Sequence, residues 1–196
     1  MQNIKYLNDK VIKKALAKEN KDIRNYIARI ISDTTHIPYE TLENNLELVY
    51  PEVGYNSHLV GSEVDLIFKD KTIYFNIEIN YGSSTTLKIK NLSYVFQLSL
   101  RQVKTWKDYQ NMQKVIQINI NSYDPYGYGD FLYESQMMVK RYNIVHNEQI
   151  TIYDINLSYF KKIDYNEIGK KSLLKDLAFL VLRTIKFLIN YIREIG

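Results

Sequence analysis

The sequence predicts an α/β or α+β sandwich in which a central mixed β-sheet is flanked by helices. Three observations predict it. Apolar residues recur with helical spacing near the start of the chain, they alternate with polar residues in two central segments, and helical spacing then returns between further strand-like segments. The chain has 196 residues, enough for one domain with a full core.

The first half of the chain contains a helix and three strands. Helical spacing predicts a helix over 9–32, and a Thr-Thr-His-Ile-Pro segment at 34–38 ends it. A short strand is expected over 45–49. The alternating segments 63–68 and 73–80 are separated by a short polar break, so they are predicted to pair as a β-hairpin.

The second half repeats the alternation of helices and strands. Expected are a helix over 86–104, a strand over 115–120, a Pro- and Gly-containing loop over 124–130, strands over 137–145 and 149–155, and a helix over 172–195. The helix over 86–104 carries one apolar face, made of Ile89, Leu92, Phe96, Leu100 and Val103. The chain is therefore divided into a domain over 1–160 and a helical extension over 161–196. The extension either packs on the core or forms a homodimer contact.

Composition excludes several classes of protein. There is no cysteine, so disulfides, thiolate zinc sites and a cysteine nucleophile are excluded. The three histidines are scattered, which argues against a histidine metal site. No secretory signal opens the chain, and the most apolar segment, 173–192, carries four charged residues. We therefore expect a soluble, cytoplasmic protein without a membrane partner.

Two carboxylates in the predicted hairpin form the candidate site. Glu78 lies opposite Asp65 if the numbers of paired residues add to 143, and opposite Glu63 if they add to 141. Either register leaves the acids on one face. Carboxylates this close repel one another unless a cation lies between them or a proton is shared. A hard divalent ion held by oxygen ligands is the simplest arrangement, although solvated acids on an exposed hairpin face are the common alternative.

The helix after the hairpin opens a basic segment. Residues 88–114 contain a single acid, Asp108, and six basic residues: Lys88, Lys90, Arg101, Lys104, Lys107 and Lys114. Lys88, Lys90 and Arg101 are the candidate nucleic-acid-binding residues, because acids alone would repel a phosphate backbone. An ordinary solvated helix face explains the same charges about equally well.

Aromatic residues cluster in the predicted loop that follows the strand over 115–120. Tyr126, Tyr128 and Phe131 could stack on nucleic-acid bases. Aromatic residues in Gly-containing loops more often anchor the loop to the core, and the sequence favours that interpretation.

An ordered set of short segments resembles the PD-(D/E)XK nuclease superfamily, and within it the recombination-promoting nucleases, or PD-(D/E)XK family transposases. Asn76-Ile77-Glu78-Ile79-Asn80 is similar to that branch's Asn-Ile-Glu-Met-Gln strand. Asp65 and Glu78 correspond to acids that lie on neighbouring strands in the superfamily. The other similar segments are 12–16, 19–21, 26–31 and 114–120, together with Lys90, Tyr94, Gln102 and Asp108-Tyr109.

The resemblance implies a restriction-endonuclease-like core and a metal-dependent DNA endonuclease linked to mobile elements or recombination. It implies that Asp65 and Glu78 hold Mg²⁺ or Mn²⁺ and that Asn80 orients the attacking water. Glu19 would be a further acid near the metal.

Two positions depart from the family pattern. The superfamily's usual Lys is Asn80 here, so its charge must come from Lys88 or Lys90 or be missing. Trp106 replaces the branch's glycine before Asp-Tyr. The alternative is a catalytically weak or inactive nuclease-fold module that binds DNA or a host protein.

Overall fold

The computed structural model describes residues 21–49, 66–80 and 85–161. Within them, six strands form a mixed sheet with helices on both of its faces. The predicted fold class, an α+β architecture with a mixed central sheet flanked by helices, is confirmed.

Three α-helices flank the sheet: α1 (Lys21–Thr35), α2 (Tyr39–Asn45) and α3 (Leu87–Leu100). The first part of the predicted opening helix, 9–20, lies outside the described residues. α2 was not predicted, because seven residues with one buried side chain, Leu42, are too few to show a helical period. The predicted C-terminal helix over 172–195 also lies outside the described residues.

The sheet has the strand order β1-β2-β3-β4-β8-β5. The three central strands, β3, β4 and β8, are parallel to one another, and β1, β2 and β5 run antiparallel to their neighbours. β6 and β7 form a separate two-stranded ladder. The strands are β1 (Glu47–Val49), β2 (Leu66–Lys69), β3 (Ile73–Asn80), β4 (Lys114–Asn121), β5 (Leu132–Gln136), β6 (Met138–Val139), β7 (Ile144–Val145) and β8 (Ile150–Asn156).

β2 and β3 form the predicted hairpin. Their paired residues, from Lys69 with Tyr74 to Leu66 with Ile77, have numbers that add to 143. Asp70 closes the turn, since its Oδ1 accepts hydrogen bonds from the backbone N–H groups of Thr72 (2.7 Å) and Ile73 (2.8 Å). The sequence allowed two registers, with sums of 143 and 141. The described pairs have the sum of 143, which is the register predicted to place Glu78 opposite Asp65.

One face of the sheet is apolar and packs against α1 and α2. β3 contributes Phe75 and Ile77 to this face, and both are almost fully buried. Because alternate residues of a strand point to opposite faces, Asn76, Glu78 and Asn80 lie on the other face. That face is covered by α3, which packs Val95 and Leu98 against Ile67 and Val115.

The predicted single strand over 137–145 is wrong. This segment forms the short strands β6 and β7 around a turn in which Asn143 has a φ of 53°. A left-handed residue of this kind folds the chain back on itself, and Asn tolerates that conformation well. The sheet strand in this region is β5, which was not predicted.

α3 ends four residues earlier than the sequence predicts, at Leu100 rather than position 104. A capping box at Thr105 and Asp108 starts a 3₁₀-helix, Trp106–Asn111. The Gln102 side chain also exchanges two hydrogen bonds with the backbone of Gln113, at 2.7 and 3.2 Å. These contacts turn the chain from α3 into β4.

In residues 21–49, 66–80 and 85–161, no helix combines the length and apolar character needed to cross a membrane.

Candidate functional site

Glu78 is the central residue of the candidate site. It lies on β3, its side chain is fully buried, and its neighbour across the β3–β4 ladder is Asn119. A carboxylate is rarely buried completely unless it is paired, because the charged form loses its hydration. Its burial follows from the position of α3, which covers the face that the alternation of β3 assigns to polar residues.

Lys90 supplies a positive charge to this carboxylate. Its Nζ lies 3.7 Å from Oε2 of Glu78 and 5.1 Å from the centre of the Tyr94 ring. The Lys90 side chain is 42% exposed, so the pair connects a buried acid to solvent. The structure thus places a cation beside Glu78.

Asn80 lies two residues further along the same strand and is 4% exposed. Its Nδ2 donates a hydrogen bond to Oδ1 of Asn121 on β4 (3.0 Å). This bond fixes the amide's orientation, because Nδ2 is the atom directed at Asn121.

β4 carries a second row of buried polar side chains beside those of β3. Gln117, Asn119 and Asn121 alternate along the strand, directly across the ladder from Asn76, Glu78 and Asn80. The amides form a directed chain: Asn76 donates to Gln117 (3.1 Å), Gln117 to Asn119 (2.8 Å), and Asn119 to Oδ1 of Asp154 (3.0 Å). The five amides of β3 and β4 and Asp154 are therefore joined in one network, next to which Glu78 forms its ion pair with Lys90.

Asp154 on β8 is the acceptor on which this network converges. Its Oδ1 accepts from Nδ2 of both Asn119 and Asn121, each at 3.0 Å, and its Oδ2 accepts from the Tyr126 hydroxyl at 3.2 Å. Asp154 is 7% exposed. Asp154 was not predicted as a site residue, because an acid within Thr-Ile-Tyr-Asp-Ile-Asn carries no sign of which strand will lie beside it. The signal that was present is the polar residue at every second position of β4.

Tyr126 joins the network to the loop over 124–130. The pKa of its hydroxyl is raised, mainly because the group is partly buried. The hydrogen bond with Ser135 lowers this pKa, whereas the charge of Asp154 and the hydrogen bond to Asp154 raise it further. Lys88 lies with its Nζ 4.1 Å from the centre of the Tyr126 ring, a cation–π contact. Lys88 is therefore held near the network through this ring.

Asp124 holds this loop in shape. Its carboxylate accepts hydrogen bonds from the backbone N–H groups of Tyr126, Gly127 and Gly129 and from the Tyr133 hydroxyl, at 2.7–3.1 Å. Although burial alone would raise it, these four donors lower the pKa of Asp124 to about 2. Both glycines have a φ of +80°, which a side chain would strain.

The aromatic residues of this region have different roles. Phe131 is buried in the apolar core, with its ring 5.8 Å from that of Tyr159, so it anchors the chain. Tyr126 is bonded to the network. Tyr128 is 82% exposed and is the aromatic residue of this loop that is open to a ligand.

The remaining predicted site residues are not all brought together. Asp65 and Glu19 lie outside the described residues. Arg101 follows the last residue of α3, at the opposite end of the helix from Lys88 and Lys90, roughly 17–20 Å away along the axis. Among the residues that the structure describes, no three histidine or acidic side chains are grouped so that they could hold a metal ion.

No protein-family model, no curated protein and no solved structure matches this chain.

Proposed function

We propose that this protein is a metal-dependent endonuclease that hydrolyses phosphodiester bonds in DNA, in a setting of mobile elements or recombination. The observation that carries the proposal is the fully buried Glu78 carboxylate, which lies next to the hydrogen-bonded amides of β4 with its Oε2 3.7 Å from Nζ of Lys90. A buried charge costs stability, so its presence points to a use in binding or catalysis. The register of β2 and β3 supports the pairing of Glu78 with Asp65 in the proposed site.

The chemistry of the donors fits a hard divalent cation. Glu78 offers carboxylate oxygens, and Asp65 is the proposed second ligand, so both belong to the ligand class that Mg²⁺ and Mn²⁺ prefer. When bound, such an ion lowers the pKa of a coordinated water and neutralises the attacked phosphate. Among the residues that the structure describes, Glu78 is the only proposed ligand.

The remaining residues of the proposed site act on substrate and water. Lys90 lies next to Glu78 and would attract the phosphate and stabilise its developing negative charge. Asn80, held by Asn121, would orient the attacking water through Oδ1. Lys88 lies beside the aromatic loop, where it would contact the DNA backbone on one side of the cleaved bond.

Cleavage of supercoiled plasmid with Mg²⁺ or Mn²⁺ tests the proposal. We expect wild-type protein to nick the plasmid, and Asp65→Asn and Glu78→Gln each to lower the rate by at least about 100-fold, because each removes a metal-binding charge. Lys90→Met should lower it about 10–100-fold. Glu148→Gln, at an exposed acid away from the network, is the matched control and should cleave normally.

The proposal fails if Asp65→Asn and Glu78→Gln cleave as fast as Glu148→Gln. Circular dichroism and urea unfolding of each variant would separate loss of chemistry from loss of folding.

A second function is favoured by the Glu78–Lys90 pair itself. Because Lys90 already offsets the charge of Glu78, this arrangement suits a non-catalytic module that keeps the fold and binds DNA through its lysines. Such a module would bind DNA without cleaving it under any metal. Its affinity for DNA would fall with added salt. Removing Lys88 or Lys90 would make the plot of log affinity against log salt less steep, by about 0.9 for each phosphate that the lysine had neutralised.

A further inference from the structure

The apolar row that identifies α3 in the sequence faces away from the sheet. Ile89, Leu92, Phe96 and Leu100 recur at intervals of three or four residues and are 71%, 40%, 43% and 65% exposed. The side that contacts the sheet is formed instead by Asn91, Tyr94, Val95, Leu98 and Ser99. α3 is therefore apolar on two sides.

A helix that is apolar on two sides is normally covered on both. The outward row extends over three turns of α3, and contiguous exposed apolar residues of this kind mark a contact surface. The two lysines of α3 do not interrupt it, since Lys88 and Lys90 lie on either side of Ile89 around the helix. The row is thus a docking surface that lacks a cover among the described residues.

We propose that residues 173–192 of the same chain cover this row. They are the most apolar segment of the sequence, and their apolar residues recur on most sides of any helix drawn through them. Such a segment needs an apolar surface to pack against, and the outward row of α3 offers one of matching character.

The connection is long enough for this arrangement. The described chain continues past β8 through a short 3₁₀-helix, Leu157–Lys161, at the carboxyl ends of the parallel strands. α3 begins near the same edge of the sheet, shortly after the end of β3. Residues 162–172 can span up to about 36–40 Å when extended, which exceeds the thickness of the helix layer they must pass.

Charge argues against the same row of a second copy as the cover. α3 contains Lys88 and Lys90 and no acidic residue, and Arg101 follows its last turn. Two α3 helices packed face to face would therefore bring only positive charges together at the rim. Residues 173–192 carry three basic residues and one acid, Asp176, so their positive charge is partly offset, whereas α3 carries no acid at all.

The absence of native cysteine makes a direct test practical. Single cysteines would be introduced into the full-length chain at Phe96→Cys in the row and at Lys107→Cys, an exposed control in the following 3₁₀-helix. We expect a maleimide reagent to label Phe96→Cys at least tenfold more slowly than Lys107→Cys in the folded protein. Equal rates in the folded protein would overturn the proposal.

A second measurement identifies the cover and does not depend on nuclease activity. Phe96→Cys would be combined, one at a time, with a cysteine at each position from 177 to 188, and the full-length protein oxidised at low concentration. Disulfide-linked monomers at positions spaced three or four apart would support coverage by the same chain. Covalent dimers without linked monomers would assign the cover to a second copy and overturn the proposal.

Discussion

On the face of the sheet that carries α1 and α2, β3 presents Phe75 and Ile77, whereas beneath α3 the same strand presents Asn76, Glu78 and Asn80. Burial does not distinguish the two faces, since all five side chains are at most 4% exposed. What differs is the source of stability. The apolar face gains it by removing hydrocarbon from water, whereas the polar face loses hydrogen bonds to water and depends on hydrogen bonds and an ion pair inside the protein.

The two faces would not be equally simple to stabilise. An apolar layer under α3 would be simpler to stabilise than a layer with two carboxylates and five amides. The polar layer is formed by residues of β3, β4 and β8, three parallel strands whose carboxyl ends lie at the same edge of the sheet. Tyr126 of the loop over 124–130 adds a hydrogen bond to it. A connected polar layer that opens to solvent through Lys90 is the kind of feature that a binding or catalytic site requires.

The largest expected effect is on the apolar face. Phe75→Ala should lower the free energy of unfolding by about 3–5 kcal/mol, because it removes a fully buried ring and leaves a cavity. Urea unfolding would measure it. The adjacent, equally buried Asn76→Ala should cost only about 1–2 kcal/mol, since its loss is mainly the hydrogen bond to Gln117. Equal losses would break the comparison.

The next effect concerns the acceptor of the polar network. Asp154→Asn should lower the free energy of unfolding by about 2–3 kcal/mol, because an amide cannot accept from Asn119, Asn121 and Tyr126 as the carboxylate does. Asp130→Asn, whose side chain is exposed, serves as the control. If both variants unfold at the same urea concentration, Asp154 is not the acceptor that orders the network.

A smaller effect is expected for the ion pair between buried Glu78 and partly exposed Lys90. Lys90→Met should destabilise the fold by about 1–2 kcal/mol, a value reduced by the partial exposure of Lys90. Adding Glu78→Gln should restore part of that loss, because no buried charge is then left without its cation. Lys88→Met, which loses an exposed cation–π contact, should cost about 0.5–1 kcal/mol. A double variant less stable than the sum of its parts would contradict this account of the pair.

The last effect depends on pH. The pKa of Asp124 is about 2 in the folded protein against an ordinary value of 3.8. Its contribution to stability is therefore fully present above about pH 4 and is lost as the pH falls toward 2. Asp124→Asn should flatten the decline of unfolding free energy between pH 4 and pH 2. The same slope in both proteins would show that the loop does not depend on this charge.

Much of the fold could be read from local patterns. The alternation in Ile73–Asn80 correctly assigned each residue of β3 to a face, and the polar break before it correctly located a hairpin. Short or irregular elements were not predicted. α2 is too short to show a period, and β6 and β7 are separated by a turn in which Asn143 has a left-handed conformation. Local patterns identify long regular elements because their periods repeat often enough to be seen.

The sequence by itself determined which side chains share a face, because the two-residue period of a strand is a property of the backbone. It also located Glu78 and Asn80 and the lysines that follow them. Only the tertiary structure decided that the polar face is buried, that Lys90 rather than Lys88 lies against Glu78, and that Asp154 receives the network. Those facts depend on which strand lies beside which and on where α3 packs, and both arise from contacts between residues far apart in the chain.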